Sequence, residues 1–330
     1  MKPLILTSHL MPELDRSDFA DLAVEFFFRF VWGPLPPLDE LAATFFGARV
    51  STDPRLHHWS DCAEKWRRTK NYESRNLSLA EFCLQYETVE LWFDSDPNAQ
   101  LRLVWLLDYF RVHPETFPRL KLRHFDHDVP GGDLPDKWLP PAVDVTSDVL
   151  ETASAAWQAY HATTPRACVD LLGRDLSALP MLEPALRELL NELPWRWTGL
   201  GATEMRMLEL ISEGNACPPD LFPGHEKRNK QRVFDYWEVG SLLDGLASGP
   251  APAVSGLEEG PFTLEMLENR DRHARYKQSK LSLTELGRAV LAGRDDFSRH
   301  NPIHRWWGGT ELTNDRLWRW DPVNQALIAP

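Results

Sequence analysis

The sequence predicts an α/β N-terminal domain with a partly parallel sheet (residues 1–128), a helical connector (144–196) and a helix-rich α+β C-terminal domain ending in a hairpin tail (197–330). Three observations predict it. A strand, a polar turn and a helix follow one another from Val89 to Phe110. A loop rich in proline and glycine runs from Asp126 to Val143. Beyond it, apolar residues recur at helical spacing in short segments, and the C-terminal third adds brief alternating runs.

Taken in order, Leu4-Ile-Leu-Thr7 reads as a first strand, with Ser8 and His9 in the turn that follows. Asp18 to Phe30 has the apolar spacing of a helix, yet its end, Phe26 to Trp32, fits a second strand equally well. Gly33-Pro34-Leu35-Pro36-Pro37 stops either one. Helices are expected over Leu38 to Phe46 and Ser60 to Lys70, the latter with cations at its end, where the helix dipole favours them. Ser78-Leu-Ala-Glu81 is a capping box before another short helix. Val89, Leu91 and Phe93 alternate with Glu90 and Trp92, as in a strand. Asp96 stands where an N-cap belongs, Pro97 follows in the first turn, and a mostly apolar helix runs on to Phe110. Arg119 to Phe125 alternates like a later strand.

Thr146 to Ala162, Pro165 to Leu172 and Leu182 to Leu193 carry helical apolar faces and make up the connector. Gly201 to Gly214 is an amphipathic helix closed by glycine, Pro218 to Phe222 a short second segment and Arg232 to Ala247 a third helix. After a loop, Leu281 to Gly293 passes from a strand into a capped helix, and the tail from Ile303 to Trp320 alternates as a closing hairpin. Three helices, a hairpin and the ending Leu281-x-Leu-Thr-x-x-Gly-Arg-x-Val-Leu291 resemble the winged-helix domains of bacterial regulators. The resemblance implies a winged-helix-like C-terminal domain.

At 330 residues with 43% apolar residues, the chain has enough material for more than one core. A formal net charge of -13 argues against broad attraction to nucleic acid or to anionic membranes. Cys62, Cys83, Cys168 and Cys217 form no C-x-x-C pair, so neither a disulfide framework nor a zinc site is expected. With no signal peptide and no apolar run of spanning length, the expectation is a cytoplasmic protein without a membrane partner. Fourteen tryptophans point to aromatic-rich cores.

The chemistry concentrates where the strand at Val89 meets its helix. Ligands of open parallel sheets gather where strands end and helices begin. Asp94 and Asp96 stand two residues apart there, able to hold Mg²⁺ or Mn²⁺ through oxygen ligands, with Asn98 and Gln100 supplying hydrogen bonds to a ligand. A structural alternative stands beside this one: Asp96 caps the helix, Asp94 favours its positive end and Gln100 ties down the loop. Ser8 and His9 follow the first strand and belong to the same edge. Neither G-x-G-x-x-G nor G-x-x-x-x-G-K-[ST] occurs, and no covalent nucleophile stands out.

Several of these motifs together resemble DUF1835, a family of bacterial proteins of unknown function. They are Leu91-Trp-Phe-Asp94-x-Asp96, Gln100-Leu101, Gly33-Pro34 and Arg305-Trp-Trp-Gly-Gly309. In that family the first strand commonly runs into a His and then a Gly-Asp pair; here Thr7-Ser8-His9-Leu10 carries no such pair. The resemblance implies no activity.

For the C-terminal domain, DNA binding would use the cations Lys227, Arg228, Lys230 and Arg232 ahead of the third helix, with Arg270 to Lys280 ahead of the last strand. The third helix itself carries Asp235, Glu238 and Asp244 and no Arg or Lys from Val233 to Ala247, which favours a protein partner. The expectation is a ligand- or partner-binding regulatory protein. The alternative is a metal-dependent enzyme acting on a nucleotide, nucleotide sugar or nucleic acid through the D-x-D turn.

Overall fold

Leu4–Thr7 (β1) is buried along its whole length, and so are the first residues of Leu22–Glu25 (β2) and of Val89–Asp94 (β3). Strands covered on both faces belong to a parallel sheet with helices on either side. In the computed structural model β2, β1, β3 and Leu120–Phe125 (β4) lie parallel in that order, and Val143–Asp144 (β5) closes the edge antiparallel to β4. The structure describes residues 3–8, 20, 22–49, 58–64, 77–125, 139–222 and 233–330. The chain divides into two compact units: Met1–Phe30, Leu35–His161 and Asp170–Ala185 form the first, and Val31–Pro34, Ala162–Val169 and Leu186–Pro330 the second.

Among the described residues, three helices, Leu38–Phe46 (α1), Trp59–Glu64 (α2) and Leu79–Cys83 (α3), stand between β2 and β3. The capping box at α3 forms as its sequence dictates: the Glu81 amide donates to Ser78 Oγ at 3.2 Å, and the Ser78 amide donates to Glu81 Oε2 at 2.8 Å. Pro97–Arg111 (α4) links β3 to β4 and packs against Ser147–His161 (α5). Of the stretch from Asp18 to Phe30, residues 18, 19 and 21 lie outside the described residues, and the helical spacing misleads for the rest. Leu22 to Glu25 is a strand and Phe26 onward is irregular, because a short run buried on both faces has no period to distinguish it from a helix.

The aromatic residues make the core between α4 and its surroundings. Phe46 packs on Trp105 with centroids 4.4 Å apart, Phe28 meets Phe45 at 4.7 Å, and Phe30 meets Trp157 at 4.9 Å. The other sheet face holds an ion pair. Arg123 donates from Nε and Nη2 to the two carboxylate oxygens of Glu90 at 2.7 and 2.9 Å, and Trp92 Nε1 donates to Glu90 at 2.7 Å. The alternation along β3 therefore separates two buried faces, one apolar and one ionic and aromatic, and neither meets solvent.

The segment 144–196 consists of α5, Arg166–Leu171 (α6) and Leu182–Asn191 (α7), and the division between the two units falls within α6 and α7. In the second unit Ala202–Ser212 (α8), Pro218–Leu221 (α9) and Tyr236–Ser248 (α10) share one apolar core. Helix α10 starts four residues later than the expected Arg232, because Asp235 accepts the Trp237 amide and Glu238 reaches back to the Asp235 amide. Val254–Ser255 (β6) pairs antiparallel with Ser282–Leu283 (β7). Between them, where a loop is expected, Leu264–Glu268 (α11) and Arg270–Gln278 (α12) form; of α12 only Tyr276 is buried, so it leaves no apolar period in the sequence. Glu285–Leu291 (α13) follows, capped by Thr284.

The tail corrects a second expectation. His304–Trp307 (β8) pairs with Thr310–Thr313 (β9), and Arg319–Asp321 (β10) with Ala326–Ile328 (β11), giving two small hairpins where one is expected between Ile303 and Trp320. Gly308, with φ of 54°, supplies the left-handed position in the first turn.

The backbone leaving β2 is fixed by a helix side chain. Asn98 is fully buried; its Nδ2 donates to the Phe28 carbonyl at 2.9 Å and its Oδ1 accepts the Phe30 amide at 2.8 Å. Asn98→Ala leaves the buried Phe30 amide unpaired, with the Phe28 carbonyl still held by Arg102, and is expected to cost about 1–3 kcal/mol, the usual penalty for such a group. Urea unfolding of the two proteins checks it; equal midpoints would show that the segment does not depend on this clamp.

Candidate functional site

With strand order β2-β1-β3-β4, the chain turns one way from β1 and the other way from β3, so the order reverses between β1 and β3. At such a reversal the loops leaving the two strands diverge and open a crevice at the carboxyl edge. Ser8 follows β1 there, and Asp94 ends β3. His9, which the sequence places beside Ser8, lies outside the described residues, as do Lys227, Arg228, Lys230 and Arg232.

Much of the polar chemistry at this edge serves the chain itself. Asp96 is the N-cap of α4, its Oδ1 accepting the amides of Asn98 and Ala99 at 2.9 and 3.0 Å. Asn98 holds the backbone at Phe28 and Phe30 and is buried. Gln100 donates from Nε2 to the Asp94 carbonyl at 2.6 Å. Its Oε1 is buried and finds no hydrogen-bond donor among the described residues. Ser8 is buried, and its carbonyl accepts Arg102 Nη1 at 2.7 Å.

Arg102 is the residue that sequence reasoning missed. It stands one turn after Asn98 on the same face of α4, buried, with Nε donating to the Phe28 carbonyl at 2.6 Å. The available signal was a single cation inside the run Leu101 to Leu107, since a charge in a buried helix needs partners. Burial, then repulsion from Arg29, pushes its guanidinium down to about 10, while Asp96, Asp94 and Glu25 pull the other way. Glu25, at the end of β2, thus belongs to the same charged neighbourhood.

Asp94 has the opposite problem. Its Oδ1 accepts the Asp96 amide at 3.4 Å, and burial followed by the neighbouring Asp96 charge pushes its carboxyl up to about 8; Arg102 offsets only part of this. At neutral pH Asp94 is therefore mainly a proton-bearing acid that can donate a hydrogen bond. As metal ligands, Asp94 and Asp96 stand as a pair: among the described residues no group of three or more His, Cys, Asp or Glu is placed to hold an ion.

In the second unit, two of the three acids of the third helix, Glu238 and Asp244, are buried. Asp235 caps α10, Glu238 closes its capping box and is buried, and buried Asp244 accepts the Phe262 amide. Glu238 and Asp244 are engaged inside the fold, while Asp235 at the start of the helix is exposed. Arg272 donates to the carbonyls of Glu259 and Pro261, and Arg275 to the Glu259 carboxylate at 2.6 Å, so both already have partners within the chain. No helix among the described residues is long and apolar enough to cross a membrane.

Compared with protein-family models and with curated proteins, the chain matches none.

The raised carboxyl of Asp94 makes a pH signature. Between about 4, where the unfolded carboxyl titrates, and about 8, the folded protein retains a proton that the unfolded chain has released. Asp94 thus contributes most below that window, and its contribution is lost as pH rises through it. Asp94→Asn removes the titration. Urea midpoints measured across this range should fall more steeply with pH in wild type than in the variant, and parallel curves would mean that Asp94 titrates normally.

Proposed function

We propose that the protein is a ligand-binding regulatory protein whose ligand sits at the carboxyl edge between β1 and β3. The observation that supports this most is the coincidence of the strand-order reversal with Asp94, Asp96 and Arg102. A protonated Asp94 donates, and Gln100 Oε1 is a buried acceptor in want of a donor. Hydroxyl groups, which both donate and accept, suit that pair, as on the sugar of a nucleotide or nucleotide sugar. The motifs resembling DUF1835 proteins, Leu91 to Asp96 and Gln100-Leu101, build this same edge, which supports proposing kinship with that family.

The second unit is read as the docking module. Helices α8, α9 and α10 followed by the β6–β7 ladder have the order of a winged helix, with α11 and α12 inserted in the wing. Helix α10 presents no Arg or Lys to a major groove, and Arg272 and Arg275 are engaged with Glu259 and its neighbours. That favours a protein partner over DNA, in a cytoplasmic setting.

Thermal unfolding of wild type and Asp94→Asn, with Mg²⁺, Mn²⁺ and a panel of nucleotides and nucleotide sugars, tests the ligand. One that binds only the folded state stabilises it by about 2.7 kcal/mol at a hundredfold excess over its Kd. The expected result is a shift in wild type that the variant loses. A shift retained in the variant, or no shift with any compound, would remove the sheet edge as the site.

A further inference from the structure

A second cleft, of about 200 Å³, lies wholly within the C-terminal unit and is independent of the sheet edge. Its walls are aromatic. Trp32 and Phe234 meet edge to face with centroids 5.7 Å apart, and Trp306 and Trp307 of β8 line it beside Arg305. Trp32 is 40% exposed, a large cost for an indole that could be buried. Gly33, with φ of 74°, gives the turn that carries it. Such a mixture, apolar walls with a few polar groups (here Arg305, Glu192 and His304), is the usual make-up of a small-molecule site.

Arg305 is the guanidinium among them, and only part of it is used. Its Nη1 donates to Glu204 Oε2 at 2.8 Å. Nε and Nη2 are shielded from solvent and have no acceptor among the described residues. Those two nitrogens form one edge of the planar guanidinium, whose paired N–H groups match the two oxygens of a carboxylate. The protein itself supplies the precedent: Arg123 uses the same edge to hold Glu90 at 2.7 and 2.9 Å. Leaving charged donors buried and unpaired is costly, so an acceptor at this edge would be strongly favoured.

The acids nearby leave room for another anion. Glu204 is occupied by Arg305 and by the Gly201 amide at 2.8 Å, where it closes the first turn of α8. Glu192, on the cleft wall, receives the Thr203 amide and hydroxyl at 3.1 and 2.6 Å. Burial pushes its carboxyl up to about 7, so near neutral pH it carries only part of a charge.

We propose that this cleft binds a small aromatic carboxylate, its ring against Trp32 and Phe234 and its carboxylate on the Arg305 guanidinium, which turns its unpaired Nε–Nη2 edge into the cleft on binding. The size of the cavity suits one or two fused rings and little more. The ligand here is anionic and flat, whereas the sheet edge calls for hydroxyl groups.

Calorimetric titration of the full chain with 1-naphthoate, benzoate and the neutral 1-naphthamide tests the site. Saturable binding of an acid is expected, with the amide weaker by about tenfold or more, since it lacks the charge that strengthens such hydrogen bonds. Arg305→Lys keeps a cation for Glu204 but has no planar edge, and should lose acid affinity by a similar factor. Trp32→Ala removes the exposed wall and should weaken acid and amide alike; it carries the test if the Arg305 variant fails to fold. Asp94→Asn should bind 1-naphthoate as wild type does, which separates this cleft from the sheet edge. Failure of both acids to bind, equal affinity for acid and amide, or wild-type affinity in the cleft variants would overturn the proposal.

Discussion

The first unit depends on helix α4 satisfying backbone that the sheet cannot. Where β1 and β2 end, their carbonyl and amide groups leave the ladder while still buried, and each needs a partner. Asn98 meets two of them at Phe28 and Phe30, and Arg102 meets Phe28 and Ser8. These side chains lie one turn apart on a rigid rod, so the helix sets the distance between the two strand exits. Tyr160 of α5 adds a bond to the Phe30 carbonyl at 3.2 Å, holding the same point from a second helix. The aromatic cluster around Trp105 can then pack against a fixed backbone.

This solution introduces a charge where burial is expensive. Arg102 is stabilised first by Asp96, and burial, followed by the Asp96 charge beside it, raises the carboxyl of Asp94. Structure and chemistry are therefore joined at the carboxyl edge: the cation that anchors the strand exits stands beside the residue best placed to meet a ligand, whose protonation burial and Asp96 set and Arg102 only partly offsets. The D-x-D turn thus serves two purposes. Asp96 is committed to its helix, and Asp94 retains chemistry to offer.

The second unit shows why net charge is a poor guide to a surface. Glu192, Glu204, Glu238 and Asp244 are all buried, receiving backbone amides or side-chain donors. Part of the excess of acids counted in the sequence is thus internal wiring. Arg305 is the counterpart among the cations, paired on one nitrogen and unpaired on its other edge.

Local rules determined a good deal by themselves. The capping signals at Ser78, Asp96 and Thr284 specify helix starts that the structure reproduces, because a cap needs only neighbours a few residues away. The strands β1, β3 and β4 and the α/β character were legible from short apolar runs between turn residues. Tertiary structure alone decided what depends on distant partners. It made Leu22 to Glu25 a strand by pairing it with β1, and split the tail into two hairpins by pairing each run with its nearest neighbour. It also turned Asn98 into a clamp on residues 70 positions away, gave Arg102 its carboxylates, and left one edge of Arg305 unpaired. A residue type states which bonds a side chain can make; only the fold states which of them remain to be made.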